Sequence, residues 1–143
     1  MNNYTIGGTI VDDVWVGKWL QLNPAAIAAS GTYTVDLVSV GYLPQNDNYD
    51  YEILLSSWVW TPTAAGNQNT TIVYSGPDTS APLFIHLNCI VTRVKDYSCI
   101  QGNSCILPLL NGNKKICFRN SVGVAYSSWG IQFSGYRRLG TNA

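Results

Sequence analysis

Hydrophobic and polar residues alternate with a period of two along most of this chain, and the clearest run is 49–60, YDYEILLSSWVW. Tyr49, Tyr51, Ile53, Leu55 and Val59 fall on one side, as in a strand lying on a core. Asp50, Glu52, Leu54, Ser56, Trp58 and Trp60 fall on the other, so this second face begins polar and ends in two indoles. Segment 14–22 repeats the arrangement, with Val14, Val16, Leu20 and Leu22 opposite Trp15, Gly17, Trp19 and Gln21. In 83–94, Leu83, Ile85, Leu87, Cys89 and Val91 point inward, against Phe84, His86, Asn88, Ile90 and Thr92.

The remaining elements follow from the same reading. Residues 4–10 form a short strand ending at Asp12 and Asp13, and 24–31, PAAIAASG, form a single helical turn stopped by Gly31. Segment 32–42 changes parity between Leu37 and Val38, which a β-bulge near Ser39 or burial of both faces would reconcile. Further strands are expected at 70–74, 105–110, 114–119 and 130–138, with loops at 43–48, 61–69, 75–82, 95–104 and 120–128. Asn111-Gly112-Asn113 reads as a tight hairpin joining two of these strands. About nine strands and no substantial helix imply a single all-β domain, a two-sheet antiparallel sandwich with jelly roll as the expected topology.

Composition narrows the function. Charged residues are 11% of the 143 and the formal net charge is zero, which argues against nucleic acid, whose phosphates require a basic surface. No apolar run approaches the roughly 20 residues that span a bilayer, so no membrane insertion is expected. The start, MNNYTIGG, lacks the basic and apolar blocks of a signal peptide.

Cys89, Cys99, Cys105 and Cys117 would allow two disulfides in three connectivities. Cys99 and Cys105 flank a turn and are spaced to bridge, but without a secretion signal reduced thiols are expected. Their spacing is not that of a zinc site and His86 is the sole histidine, so neither metal nor cofactor is expected.

Catalytic chemistry is thin, with no GxSxG elbow, HExxH pair or phosphate-cradling loop. Asp50 and Glu52 share a strand face about 7 Å apart, a spacing that invites a glycosidase reading, yet a solvated strand end explains them equally well. The chain is read as a non-enzyme.

Trp15, Trp19, Trp58 and Trp60 all lie opposite their strands' aliphatic residues. Each indole covers roughly 150 to 250 Å², too much apolar surface for a lone soluble chain to leave wet. Burial between identical subunits is the expectation; the rival readings are ordinary core positions and a platform on which a sugar ring stacks.

From Cys105 onward the chain resembles the C-terminal tip domains of trimeric phage-type tail fibres and related adhesive fibres. The residues that carry the likeness are ILPLLNGNKKICFRN at 106–120 and SWGIQFSGYRRLG at 128–140, the latter a final strand ending in a Gly-Tyr-Arg motif near the chain's end. The resemblance implies a homotrimeric receptor-binding head, each subunit a β-sandwich on a shaft N-terminal to it, located on a virion tail fibre or an extracellular fibre. It brings no enzymatic or metal site. Its partner would be a cell-surface glycan or outer-envelope component.

With strands of alternating direction, the turns at 11–13, 43–49, 76–81 and 111–113 share the end far from such a shaft. That assigns the ligand contacts to Asn46, Asp47, Asn48, Tyr49, Asp78 and Asn111, short polar and aromatic residues that hydrogen-bond and stack on sugars, although the same types are ordinary turn formers. One missed strand would move the site to 61–69, 96–104 and 120–128, with Tyr97, Tyr126 and Trp129. A structural virion or capsid-decoration protein is the alternative function. A secreted lectin, glycosylated at Asn3 and Asn69, is the third.

Overall fold

The computed structural model describes residues 5–6, 9–24, 26–44, 47–62, 66–91, 105–120 and 125–140, with backbone alone at 5–6, 9–10, 59–62, 66–70, 86–91 and 126–129. Ten strands are present: β1 (Thr5–Ile6), β2 (Thr9–Ile10), β3 (Val16–Leu22), β4 (Thr32–Asp36), β5 (Tyr51–Pro62), β6 (Gly66–Tyr74), β7 (Leu83–Val91), β8 (Cys105–Leu109), β9 (Lys115–Asn120) and β10 (Tyr126–Arg138). β1 and β2 form a two-stranded sheet, so the first expected strand is instead a pair of very short ones. The other eight make two four-stranded sheets, in the orders β3-β10-β5-β8 and β4-β9-β6-β7, with every pairing antiparallel.

The inward faces of both sheets meet in one core. Leu22, Tyr51, Ile53, Leu55, Leu107, Leu109, Ile131 and Phe133 come from the first sheet; Val35, Val73, Ile116 and Phe118 come from the second. Apolar side chains at alternate positions can be removed from water only when two such faces close on each other. Tyr42 enters from the loop after β4, its ring centroid 6.0 Å from that of Phe133 and 5.5 Å from that of Tyr136, and its hydroxyl donates to the Lys18 carbonyl at 2.8 Å.

Three local expectations are corrected. Segment 32–42 is not one bulged strand: β4 stops at Asp36, whose carboxylate accepts the amides of Val38 and Ser39 at 3.0 and 3.2 Å and folds the chain into a turn. Gly41 completes it with φ of 77°, returning Tyr42 and Leu43 to the core. The parity change in the sequence is this reversal.

Segment 24–31 holds a turn in place of a helical one, with Ser30 at φ of 62° and the Gly31 amide bonded to the Ala28 carbonyl at 2.9 Å. No helix occurs among the described residues.

At 111–113 the tight turn is present, with Asn111 and Gly112 both at positive φ, 57° and 77°. It does not make a hairpin, because β8 pairs with β5 in one sheet while β9 pairs with β4 and β6 in the other.

Candidate functional site

Two regions hold the residues singled out by sequence: a cluster of turns at one end of the sandwich, and the outer face of the β3-β10-β5-β8 sheet. At the end, the turns at 11–13, 43–49 and 111–113 are tied together and to the close of β10. The Asp13 amide donates to the Arg138 carbonyl at 2.7 Å, the Leu139 amide to the Asp50 carbonyl at 2.8 Å, and the Asn111 amide to Asp50 Oδ1 at 2.8 Å. Pro77, in the β6–β7 loop, joins Asp36, Val38, Ser39 and residues 112–115 around a groove of about 410 Å³.

Asp47 is the centre of this end. It accepts the Tyr51 hydroxyl at 2.9 Å and the Tyr49 amide at 3.1 Å, and its oxygens lie 3.5 Å from Lys114 Nζ and 3.6 Å from the Arg138 guanidinium. Lys114, 4% exposed along its side chain, also donates to the carbonyls of Asp47, Tyr49 and Gly112. Arg138 binds Asp12 as well and lies 4.0 Å over the Tyr49 ring.

Burial pushes the Tyr51 phenol far up, and its hydrogen bond to Asp47 adds to the effect. Burial opposes the charge on Arg138, yet the Asp12 carboxylate outweighs it and raises that group above its ordinary value. This is a closed network of charges, each answered by a partner.

The expected ligand residues therefore have duties of their own. Asp47 and Tyr49 belong to the network just described. Asn48 packs by Gly112, where an added Cβ would sit 3.4 Å from its Oδ1. Asp78 accepts the Ser80 amide and hydroxyl, bonds that hold its carboxyl below the ordinary range despite some desolvation. Asn111 supplies the left-handed turn residue. Asn46 lies outside the described residues.

Residues 11–13 lead into β3 at this same end.

The four tryptophans divide. Trp58 is 6% exposed and sits in the core, not on the outer side. β10 pairs Gln132 with Ser57 but Phe133 with Leu55, so Ser56 is an extra residue and the face reverses across it. Ser56 and Ser57 hydroxyls secure the irregularity by donating to the Gln132 carbonyl and side-chain oxygen, at 3.1 and 2.8 Å. The Trp60 side chain lies outside the described residues.

Trp19 is 66% exposed on edge strand β3. Trp15, partly buried, stacks on Arg137, whose guanidinium carbon is 4.9 Å from the ring centroid and whose NH2 is 2.6 Å from Glu52 Oε1.

Beside Trp19 lies an apolar groove of about 310 Å³, lined by Trp15, Val16, Gly17, Leu54, Ile106, Ser134 and Gly135. Gly135 lines it where β10 passes close to β3: a Cβ there would stand 2.9 Å from the Val16 carbonyl oxygen. Ile106, 44% exposed, was not singled out by sequence. Its signal was available in the alternation of 105–109, where Leu107 and Leu109 take the core side.

Cys105 and Cys117 are free thiols, both raised by burial. His86, Cys89 and Cys99 have no described side chain. Among the described residues no group of three or more His, Cys, Asp or Glu assembles that could hold a metal.

No protein-family model matches the chain, and no curated protein sequence matches it. Among solved structures it is similar to the Drosophila NLP-core, reported as informing pentamer formation and histone binding, at 12% identity, covering 85% of this chain and 97% of that one, with a TM-score of 0.41. A likeness that distant carries no argument about what this chain binds or how it assembles.

Proposed function

We propose that this chain is a non-enzymatic adhesion module: the jelly-roll head of a homotrimeric fibre, closed through the outer face of the β3-β10-β5-β8 sheet, which engages a cell-surface glycan or outer-envelope component. The observation that carries the reading is Trp19, an indole 66% exposed beside an apolar groove on a sheet face where the charged pair Arg137 and Glu52 neutralises itself. Subunit interfaces are rich in such aromatics and poor in unanswered charge at their centres.

The strand order supports the topology. A jelly roll winds eight strands as two Greek keys alternating between two sheets. Here the first and last of the eight, β3 and β10, are neighbours in one sheet, and successive strands β4 to β9 distribute between the two as such winding requires.

In this reading a shaft on the N-terminal side joins at the end where residues 11–13 lie. The target would then meet the opposite end, where β3 runs out into 23–24 and β10 begins with Tyr126 and Trp129. The second site expected from sequence also includes Tyr97, outside the described residues. Three weak sites on one rigid head gain strength by multivalency. A glycan array probed with the oligomer tests the role: binding lost in Tyr97→Ala or Trp129→Ala supports it, while binding unchanged in both removes that end from consideration.

A second reading is favoured by the way Asp47, Tyr49, Asp78 and Asn111 are used within their own loops. A purely structural virion or capsid-decoration protein needs aromatic assembly surfaces and no ligand, and silence across a broad array would select it.

A further inference from the structure

The outer face of the β3-β10-β5-β8 sheet carries a projection and a recess side by side. The projection is Trp19 on β3, an edge strand of its sheet. The recess is the groove of about 310 Å³ that crosses the sheet from Trp15, Val16 and Gly17 at the start of β3, past Ser134 and Gly135 of β10 and Leu54 of β5, to Ile106 of β8. Trp19 does not fill the recess of its own chain: it is not among the residues that line it, and it remains 66% exposed.

We infer that the recess is the seat for Trp19 of a second copy of this chain. The inference rests on the assembly reading above and adds to it the contact that specifies the assembly. The lining is apolar apart from the Ser134 hydroxyl and the Trp15 indole N–H, and Ser134 gives an incoming indole N–H an acceptor. The flanking charges, Arg137 and Glu52, are 2.6 Å apart and answer each other, so an identical surface can approach without desolvating an unanswered ion.

An indole brings roughly 150 to 250 Å² against about 800 Å² that each partner contributes to a stable interface. Trp19 is therefore an anchor, and Trp15, Leu54 and Ile106 supply apolar surface around it. Trp19 and the recess lie on one sheet, so a contact in which one copy inserts its indole into the other is heterologous, and it forms a ring where the rotation between copies closes.

Sedimentation equilibrium of the full chain, with Trp19→Ala and Ile106→Glu variants, tests this. The wild type is expected to exceed the mass of one copy, and each variant to raise the dissociation concentration at least tenfold with an unchanged circular dichroism spectrum, since both side chains are exposed. Mixing a Trp19→Cys chain with a Ser134→Cys chain is expected to give a disulfide between copies that neither chain gives alone.

A wild-type oligomer whose variants dissociate as it does, with no cross-link in the mixture, overturns the contact and leaves the assembly reading standing. A wild type of single-copy mass overturns both. Trp19→Ala that keeps its mass but loses glycan binding also overturns the contact, assigning the indole to a sugar.

Discussion

Arg138 Nε donates to Asp12 Oδ1 at 2.5 Å across 126 positions of sequence, closing the last strand against the turn that leads into the first strand of the sandwich. Through Arg138 this pair connects to Asp47, and through Asp47 to Lys114. The polar end is thereby a structural clasp, and its charges stabilise only while all are present.

Asp47→Ala should accordingly act on folding. Removing one member of a buried ion pair leaves the others uncompensated, and because Lys114 keeps three carbonyl acceptors the loss should fall near the low end, about 3 kcal/mol. Urea denaturation measures it; a change under 1 kcal/mol would mean that water satisfies this end. Loss of ligand binding in Asp47→Ala means nothing unless folding is checked first.

Trp58→Ala is expected to cost about 3 to 5 kcal/mol, the range for emptying a large aromatic from a packed core. The side chain is 6% exposed, and the Ser56 bulge that turns it inward is held by Gln132. Trp19→Ala, at a site 66% exposed, should leave the unfolding free energy of the dissociated chain within about 0.5 kcal/mol of wild type. Equal losses in both would contradict the division of the indoles.

Stability should fall in acid partly through Asp36. Desolvation raises its carboxyl, but the Ser39 and Val38 amides outweigh it and hold the group below the ordinary range. A depressed acid contributes stability that is complete above the unfolded value of about 3.9 and is lost as pH falls through the lower folded value. Melting temperature from pH 6 to 2 should therefore fall less steeply in Asp36→Asn than in the wild type, and parallel curves would refute the assignment.

Cys117 is fully buried and its thiol is raised by burial, so the reactive thiolate is scarce at neutral pH. Iodoacetamide should spare Cys117 in the native chain and modify it after denaturation, read by peptide mass mapping. Rapid native labelling would place this strand at an open surface.

The all-β class and the two-sheet layering were legible because alternation and turn chemistry are local. Asn111-Gly112 was read as a tight turn from residues that accept positive φ, and it is one. That its strands part to opposite sheets depends on pairing with β5 and β4, which no local pattern encodes. Trp58 was misplaced for the same reason: counting by twos holds until a bulge, and the bulge at Ser56 is defined by the register of β10. The Asp47 network draws on positions 12, 47, 114 and 138, so no local pattern around any one of them encodes it. Trp19 was legible because Val16 and Leu22 keep the core side of β3 at even spacing, even though its register against β10 shifts between Gly17 and Leu20.

The central claim is that the outer face of the β3-β10-β5-β8 sheet is covered by further copies of this chain. Light scattering coupled to size-exclusion chromatography at micromolar concentration measures it without any variant. Three copies of the 15.6 kDa chain are the expected result. A mass of one copy, with Trp19 open to aqueous quenchers, would contradict it.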